Sequence, residues 1–268
     1  MKPIIKWELK QRKQSIIWWT IITIAVVGLI LAIFPSIRDQ ANQFNKLINQ
    51  LPEGLRQLKT GGTSSVNVAD PVSFLNSQLY YITLPILQII LAINLGGSLL
   101  ARDEQEHTLE LLLARPVSRA KVLLGKAVAG LTVMIITMLG ATLTVLALAP
   151  AVKLNIGFWP LVLTNVFTML FSLSFGVIAF GLSASNVSAR RVASAFGVIL
   201  GFGGYLITSL SALTHYLINP AKLAPYHYFD PSALLHGQVN TGLAIYLIGS
   251  FGLSFLLAYF GFRRRDIN

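Results

Sequence analysis

The sequence contains no cysteine, which excludes disulfides and thiolate metal sites and says nothing about compartment. Charge is the next shortage. Asp, Glu, Lys and Arg make up 12% of the 268 residues, half of the ~25% typical of a soluble domain. Acid is scarcest, with 10 Asp and Glu against 21 Lys and Arg. Three enzyme signatures are also missing. There is no Gly-x-x-x-x-Gly-Lys-Ser/Thr phosphate loop, since Ala120 stands where the pattern before Gly125-Lys126 needs glycine. There is no His-Glu-x-x-His and no Gly-x-Ser-x-Gly, so neither a zinc protease nor a serine hydrolase is supported. His215, His227 and His236 are spaced by twelve and nine, which fits no zinc motif.

What fills the chain is apolar: 54% hydrophobic residues and a mean hydropathy of +0.67. The runs are continuous, not alternating, which favours membrane helices over a barrel. A crossing needs about 20 such residues. Six runs qualify, at 16–35, 79–101, 122–149, 159–182, 193–213 and 242–262. The first is too long for the apolar region of a signal peptide and no small-x-small site follows it, so it is expected to be retained. The expected fold is all-α, a single polytopic membrane domain over 1–268 with six transmembrane helices.

Lys and Arg set the expected orientation. The N-terminus, the 102–126 segment, Arg190-Arg191 and the C-terminal Arg263, Arg264 and Arg265 carry fifteen of them, and the opposite side carries six. Both termini are therefore expected in the cytoplasm. The formal charge of +11 reads as a topology signal and not as a nucleic-acid footprint, because no soluble module carries it. Residues 1–15 fit an interfacial helix, with Lys2, Lys6, Lys10 and Lys13 in one sector; a frayed basic tail fits as well. The external segments are 36–76 and 214–241. In the first, Ile37, Phe44, Ile48 and Leu51 recur at helical spacing, and Asp70-Pro71 is a helix start. In the second, three prolines and Tyr216, Tyr226, Tyr228 and Phe229 suit an interfacial lid or re-entrant turn.

Four of the ten acids, Asp103, Glu104, Glu106 and Glu110, fall within eight positions of the stretch RDEQEHTLELLLARPVSRAKVLLGK at 102–126. Asp103 with Glu106 resembles a capping box, and acids in a first turn suit the helix dipole. Leu109, Leu112 and Leu113 form an apolar stripe, while Glu106 and Glu110 share another face. Pro116 ends the helix and Ser118 can cap the next one. By physics alone this is either a solvated connector or a short amphipathic helix with its carboxylates free for a partner.

The succession Glu106-His107-Thr108-Leu109-Glu110-Leu111-Leu112, Arg115-Pro116-Val117-Ser118-Arg119, then Gly125-Lys126 resembles the cytoplasmic signature of ABC-2 type transporter permeases, departing from it at His107, where that family usually has glycine. The whole layout is similar too. The resemblance implies that 102–121 holds a coupling helix against which a separate ATPase subunit docks, with Glu104, Glu106, His107, Thr108, Glu110, Arg115, Pro116, Ser118 and Arg119 at the contact. It implies a permease, an exporter, in a bacterial or archaeal cytoplasmic membrane, paired with a second permease chain and surrounded by lipid. ATP and Mg would bind the ATPase subunit, with no cofactor or catalytic site in this chain.

Ion-coupled carriers usually bury charge in their spans. None of the spans has a charge near its midpoint; Lys126 lies near an end. Gln88, Asn94, Thr137 and Asn165 could line a translocation path, though such residues more often bond helix to helix. An ATP-independent carrier or channel, and a membrane scaffold, are the alternatives.

Overall fold

A computed structural model describes residues 1–50, 67, 69–102, 118–185, 195, 197–211 and 214–263. Among these residues every regular element is helical. The longer ones are α1 (Lys2–Gln11), α2 (Lys13–Asp39), α3 (Ala41–Gln50), α4 (Pro71–Ser98), α5 (Arg119–Leu148), α6 (Phe158–Ser185), α7 (Ile199–Leu210) and α8 (Thr241–Arg263). Five described helices, α2, α4, α5, α6 and α8, are long and apolar enough to cross a membrane. The span expected at 193–213 is only partly described, and α7 is its apolar portion.

Local chemistry sets several boundaries. The Asp70 carboxylate accepts the Ser73 N–H at 2.8 Å and Pro71 occupies the first turn, so α4 begins eight residues before the apolar run expected at 79. A π-helical stretch at Asn76–Tyr80 then interrupts it. Ser118 caps α5 by accepting the Lys121 N–H. Inside the apolar helices the threonine hydroxyls bond back along their own backbone: Thr20 to Ile16 O, Thr23 to Trp19 O, Thr132 to Val128 O, Thr144 to Gly140 O. A hydroxyl satisfied this way can face hydrocarbon without an orphaned donor.

Contacts between helices fix their directions. Tyr80 meets Asn165, Pro85 meets Ser172 and Gly97 meets Ser183, so α4 and α6 run the same way. Ser174 meets Tyr246 and Gly181 meets Ser254, so α8 also runs with α6. Gln88 bonds Thr137, and Gly130 lies against Leu99, so α5 runs opposite to α4. Gly201 packs on Ile89 and Gly197 on Ile93, so α7 also runs against α4. Two elements that leave in the same direction need a return between them; α7 is that return for α6 and α8.

The closest approach is between α4 and α6. A Cβ on Gly96 would overlap the Gly176 carbonyl oxygen, and one on Gly176 would stand 2.6 Å from the Ala92 oxygen. Only glycine lets the two backbones come this near, the small-residue packing that replaces the hydrophobic effect between helices in lipid. At the end of the bundle away from α1, short turns over 215–235 close the fold. Tyr226 and Phe229 insert into it: Phe229 stacks on Phe171 at 4.3 Å, and the Tyr226 ring meets both Phe171 and Tyr205 edge-on. Tyr216 stays outside, 89% exposed.

Candidate functional site

The charged segment of 102–121 leaves α4 and enters α5, and the structure describes both of its anchors. Leu99, Leu100 and Ala101 are buried at the end of α4, and Ser118 starts α5. Glu104, Glu106, His107, Thr108, Glu110, Arg115 and Pro116 lie outside the described residues. Ser118 and Arg119 are exposed at the start of α5.

Beside these anchors sits a polar cluster built from three helices. Helix α1 lays Ile4 and Glu8 against α5, one turn apart, while Lys2, Lys6 and Lys10 stay exposed. Gly125 makes the approach possible: a Cβ there would be 3.1 Å from Ile4 Cγ2. The next residue, Lys126, is fully buried, and its Nζ donates to Glu8 Oε2 at 2.8 Å. Arg12 Nε donates to the other carboxylate oxygen, Glu8 Oε1, at 2.6 Å. Arg12 Nη1 continues to Ser98 Oγ on α4 at 2.9 Å. The Lys126 ammonium also lies 5.9 Å from the centroid of the Trp7 ring, a cation–π distance.

One carboxylate thus serves two cations, and the three charges are removed from water together. Burial by itself pushes the Glu8 carboxyl up, but the ammonium of Lys126 and the guanidinium of Arg12 outweigh it and hold the group below its ordinary value. Glu8 is therefore ionised at neutral pH. Desolvating such a set is costly, so its use is positional: it ties α1 to the base of α5 and the end of α4, the two helices between which the charged segment runs.

The four polar residues expected inside the spans do not converge. Gln88 and Thr137 are buried and bonded to each other, Thr137 Oγ1 donating to Gln88 Oε1 at 3.2 Å. Asn165 is buried elsewhere, accepting from the Tyr80 hydroxyl at 3.2 Å. Asn94 is exposed on the outside of α4. Three of the four bond helix to helix.

Glu8 and Arg12 were not singled out by reading the sequence. A signal existed: Glu8 is the only acid before Asp39, and it stands four residues ahead of a cation on the same helical face. The attachment to Lys126, 118 positions away, is tertiary and leaves no local pattern. Among the described residues the histidines at 215, 227 and 236 do not gather into a group of three metal-type donors. His236 Nδ1 is 2.8 Å from Ser232 O and His227 packs edge-on against Tyr228.

The chain matches the family described as ABC-2 family transporter protein over residues 2–267, nearly its full length. No curated protein matches it. The family consists of membrane subunits that work with an ATPase partner and are generally not the ATPase themselves. The chain belongs to the ABC-2 transporter family, as a multi-pass membrane subunit of an ABC transporter.

Proposed function

We propose that this protein is the permease of an exporter, moving its substrate outward with ATP hydrolysed by a separate nucleotide-binding subunit docked on the charged segment. Two permease chains and two ATPase subunits make the working assembly, in the cytoplasmic membrane of a bacterium or archaeon. The chain crosses six times, with α7 as the fifth crossing, and both termini are cytoplasmic. Three features support this topology: α6 and α8 point the same way, α1 lies at the end where Ser98 and Ser118 stand, and that end carries Lys2, Lys6, Lys10, Arg119 and Lys121.

The single observation that carries the proposal is the buried Lys126–Glu8–Arg12–Ser98 chain at the two roots of the charged segment. A motor outside the membrane needs a stiff element through which to move the spans. Glu104, Glu106, Glu110, Arg115 and Arg119 offer charge-assisted contacts to that motor. A displacement of the segment is then carried by α1, α4 and α5 as a unit, because their polar cluster resists separation. ATP-driven association of the motors biases the bundle between inward- and outward-facing arrangements.

The test is reversal of charge. E106K/E110K is expected to lower the ATPase subunit recovered with the tagged permease several-fold, with helical content unchanged. Recovery at the wild-type level in a folded protein would exclude these carboxylates from the docking surface. Transport in proteoliposomes made without the ATPase subunit would remove the need for a motor altogether.

A further inference from the structure

Helices α5 and α8 meet over only part of their length. Between them lies an apolar cleft of about 220 Å³, lined among others by Gly96, Gly130, Met134, Gly176, Phe180 and Phe251. A second cleft of about 260 Å³ adjoins it and shares Ala127, Val177, Phe180 and Phe251 as walls. The floor is made by the glycines of the α4–α6 crossing, where no side chain rises to fill the space. One wall of the second cleft carries Ser254, a residue 3% exposed whose hydroxyl has no hydrogen-bond partner. Toward the α1 end, Lys121 is exposed on the same face of α5 as Leu124 and Val128, which line the clefts one and two turns further on.

Size sets a lower bound on the occupant. A dry apolar cavity of about 150 Å³ is already large enough for a benzene ring, so each cleft accepts a thin hydrocarbon. Chemistry then decides the rest. The walls are apolar, the unpartnered Ser254 hydroxyl accepts or donates one bond, and the exposed Lys121 lies one helical turn before the lining residue Leu124. We propose that the joined clefts bind one acyl chain of an anionic phospholipid, with its ester region near Ser254 and its headgroup at Lys121. The site is independent of the transported substrate and of the direction of transport.

The experiment uses the full chain in phosphatidylcholine vesicles doped with a phosphatidylglycerol carrying a diazirine on one acyl chain, and adducts are mapped by mass spectrometry. Labelling is expected to concentrate at Ala127, Val177 and Phe251, about fivefold above that given by the same probe on a phosphatidylcholine headgroup, the preference one surface cation confers. A127F is expected to abolish the concentrated labelling. K121E is expected to keep labelling and lose the headgroup preference. L143F, on the 63% exposed Leu143 of the same helix, serves as the control and is expected to change neither. Labelling spread evenly over the lipid-facing residues, equal labelling by both headgroups, or an A127F variant that labels like wild type would each overturn the site. So would a second copy in the cleft: the chain has no cysteine of its own, and an A127C variant that oxidises quantitatively to a disulfide dimer would identify that occupant.

Discussion

Glu8 and Lys126 are 118 positions apart in sequence and 2.8 Å apart in the fold. The same carboxylate holds Arg12 at 2.6 Å. Because both buried cations bond the same acid, removing its charge weakens the pairing of two charges at once. E8Q is therefore expected to destabilise the protein by about 3–5 kcal/mol, the usual cost of breaking a buried pair from one side. At about 2–4 °C per kcal/mol this lowers the melting temperature in detergent by about 10 °C. E8Q/K126M removes the buried ammonium as well and is expected to melt above E8Q. A melting temperature for E8Q within about a degree of wild type would mean that the cluster does not hold α1 in place.

The same pair makes a pH prediction. The Glu8 carboxyl lies below its ordinary value because Lys126 and Arg12 outweigh its burial. A depressed folded pKa means that the unfolded chain binds the proton first. The pair's contribution is then complete above the ordinary carboxylate pKa of about 4.3 and is lost as pH falls through the lower folded value. Between pH 7 and about 5 the gap in melting temperature between wild type and E8Q is expected to stay constant. Below about pH 4 it should narrow, as the wild-type carboxyl protonates and the variant has nothing to lose. A gap that widens on acidification contradicts the sign of this linkage.

Much of this architecture is visible in the residues themselves, and the part that is not has a physical reason. Long apolar runs mark α2, α4, α5, α6 and α8 because a membrane crossing demands unbroken hydrophobicity, a constraint few sequences meet by chance. Asp70 and Ser118 mark helix starts because capping is local chemistry. The extension of α4 back to Pro71 escapes hydropathy, since Asn76, Ser77 and Gln78 interrupt the run and only the fold, with its π-helical turn, carries the helix through them. Lys126 could be placed near the end of a span, but whether it met water, lipid or a partner depended on Glu8, which belongs to another helix. Gln88, Thr137 and Asn165 read more readily as helix-to-helix glue than as path residues, and the fold gives their neighbours: Tyr80 for Asn165, and Gln88 and Thr137 for each other.

The glycines separate into two kinds, and substitution should tell them apart. Gly176 faces the Ala92 carbonyl across the α4–α6 crossing, where an added Cβ would stand 2.6 Å from that oxygen. Backbone cannot yield as a side-chain tip can, so G176A must push the helices apart. Its cost is expected at the upper end of the 1–3 kcal/mol typical of overpacking, or beyond it. At Gly249 on α8 an added Cβ would have nothing within 4 Å. There alanine meets no obstacle and gains helix propensity, so G249A is expected to be neutral or stabilising by up to about 1 kcal/mol. Melting curves of the two purified variants decide the matter, and equal stabilities would show that the crossing is looser than its geometry implies.

Gly125 is an intermediate case, and it reports on α1 alone. Its Cβ would lie 3.1 and 3.3 Å from Ile4, a side chain near the start of a short helix that can give by a few tenths of an ångström. G125A is expected to be tolerated, at a cost of less than about 1.5 kcal/mol. A leucine leaves no room for Ile4 to give, so G125L should lift α1 from α5 while the crossings of α4 with α6 and of α6 with α8 stay intact. Trp7 is the reporter, since its ring lies 5.9 Å from the Lys126 ammonium in the attached state. In a W18F/W19F/W159F background, where Trp7 is the sole remaining indole of the four, acrylamide quenching is expected to rise sharply for G125L and little for G125A. If the motor drives the spans through this junction, G125L should also retain its ATPase subunit and yet fail to move substrate. A G125L protein that quenches like wild type would show that the Ile4–Gly125 contact does not hold α1 against α5.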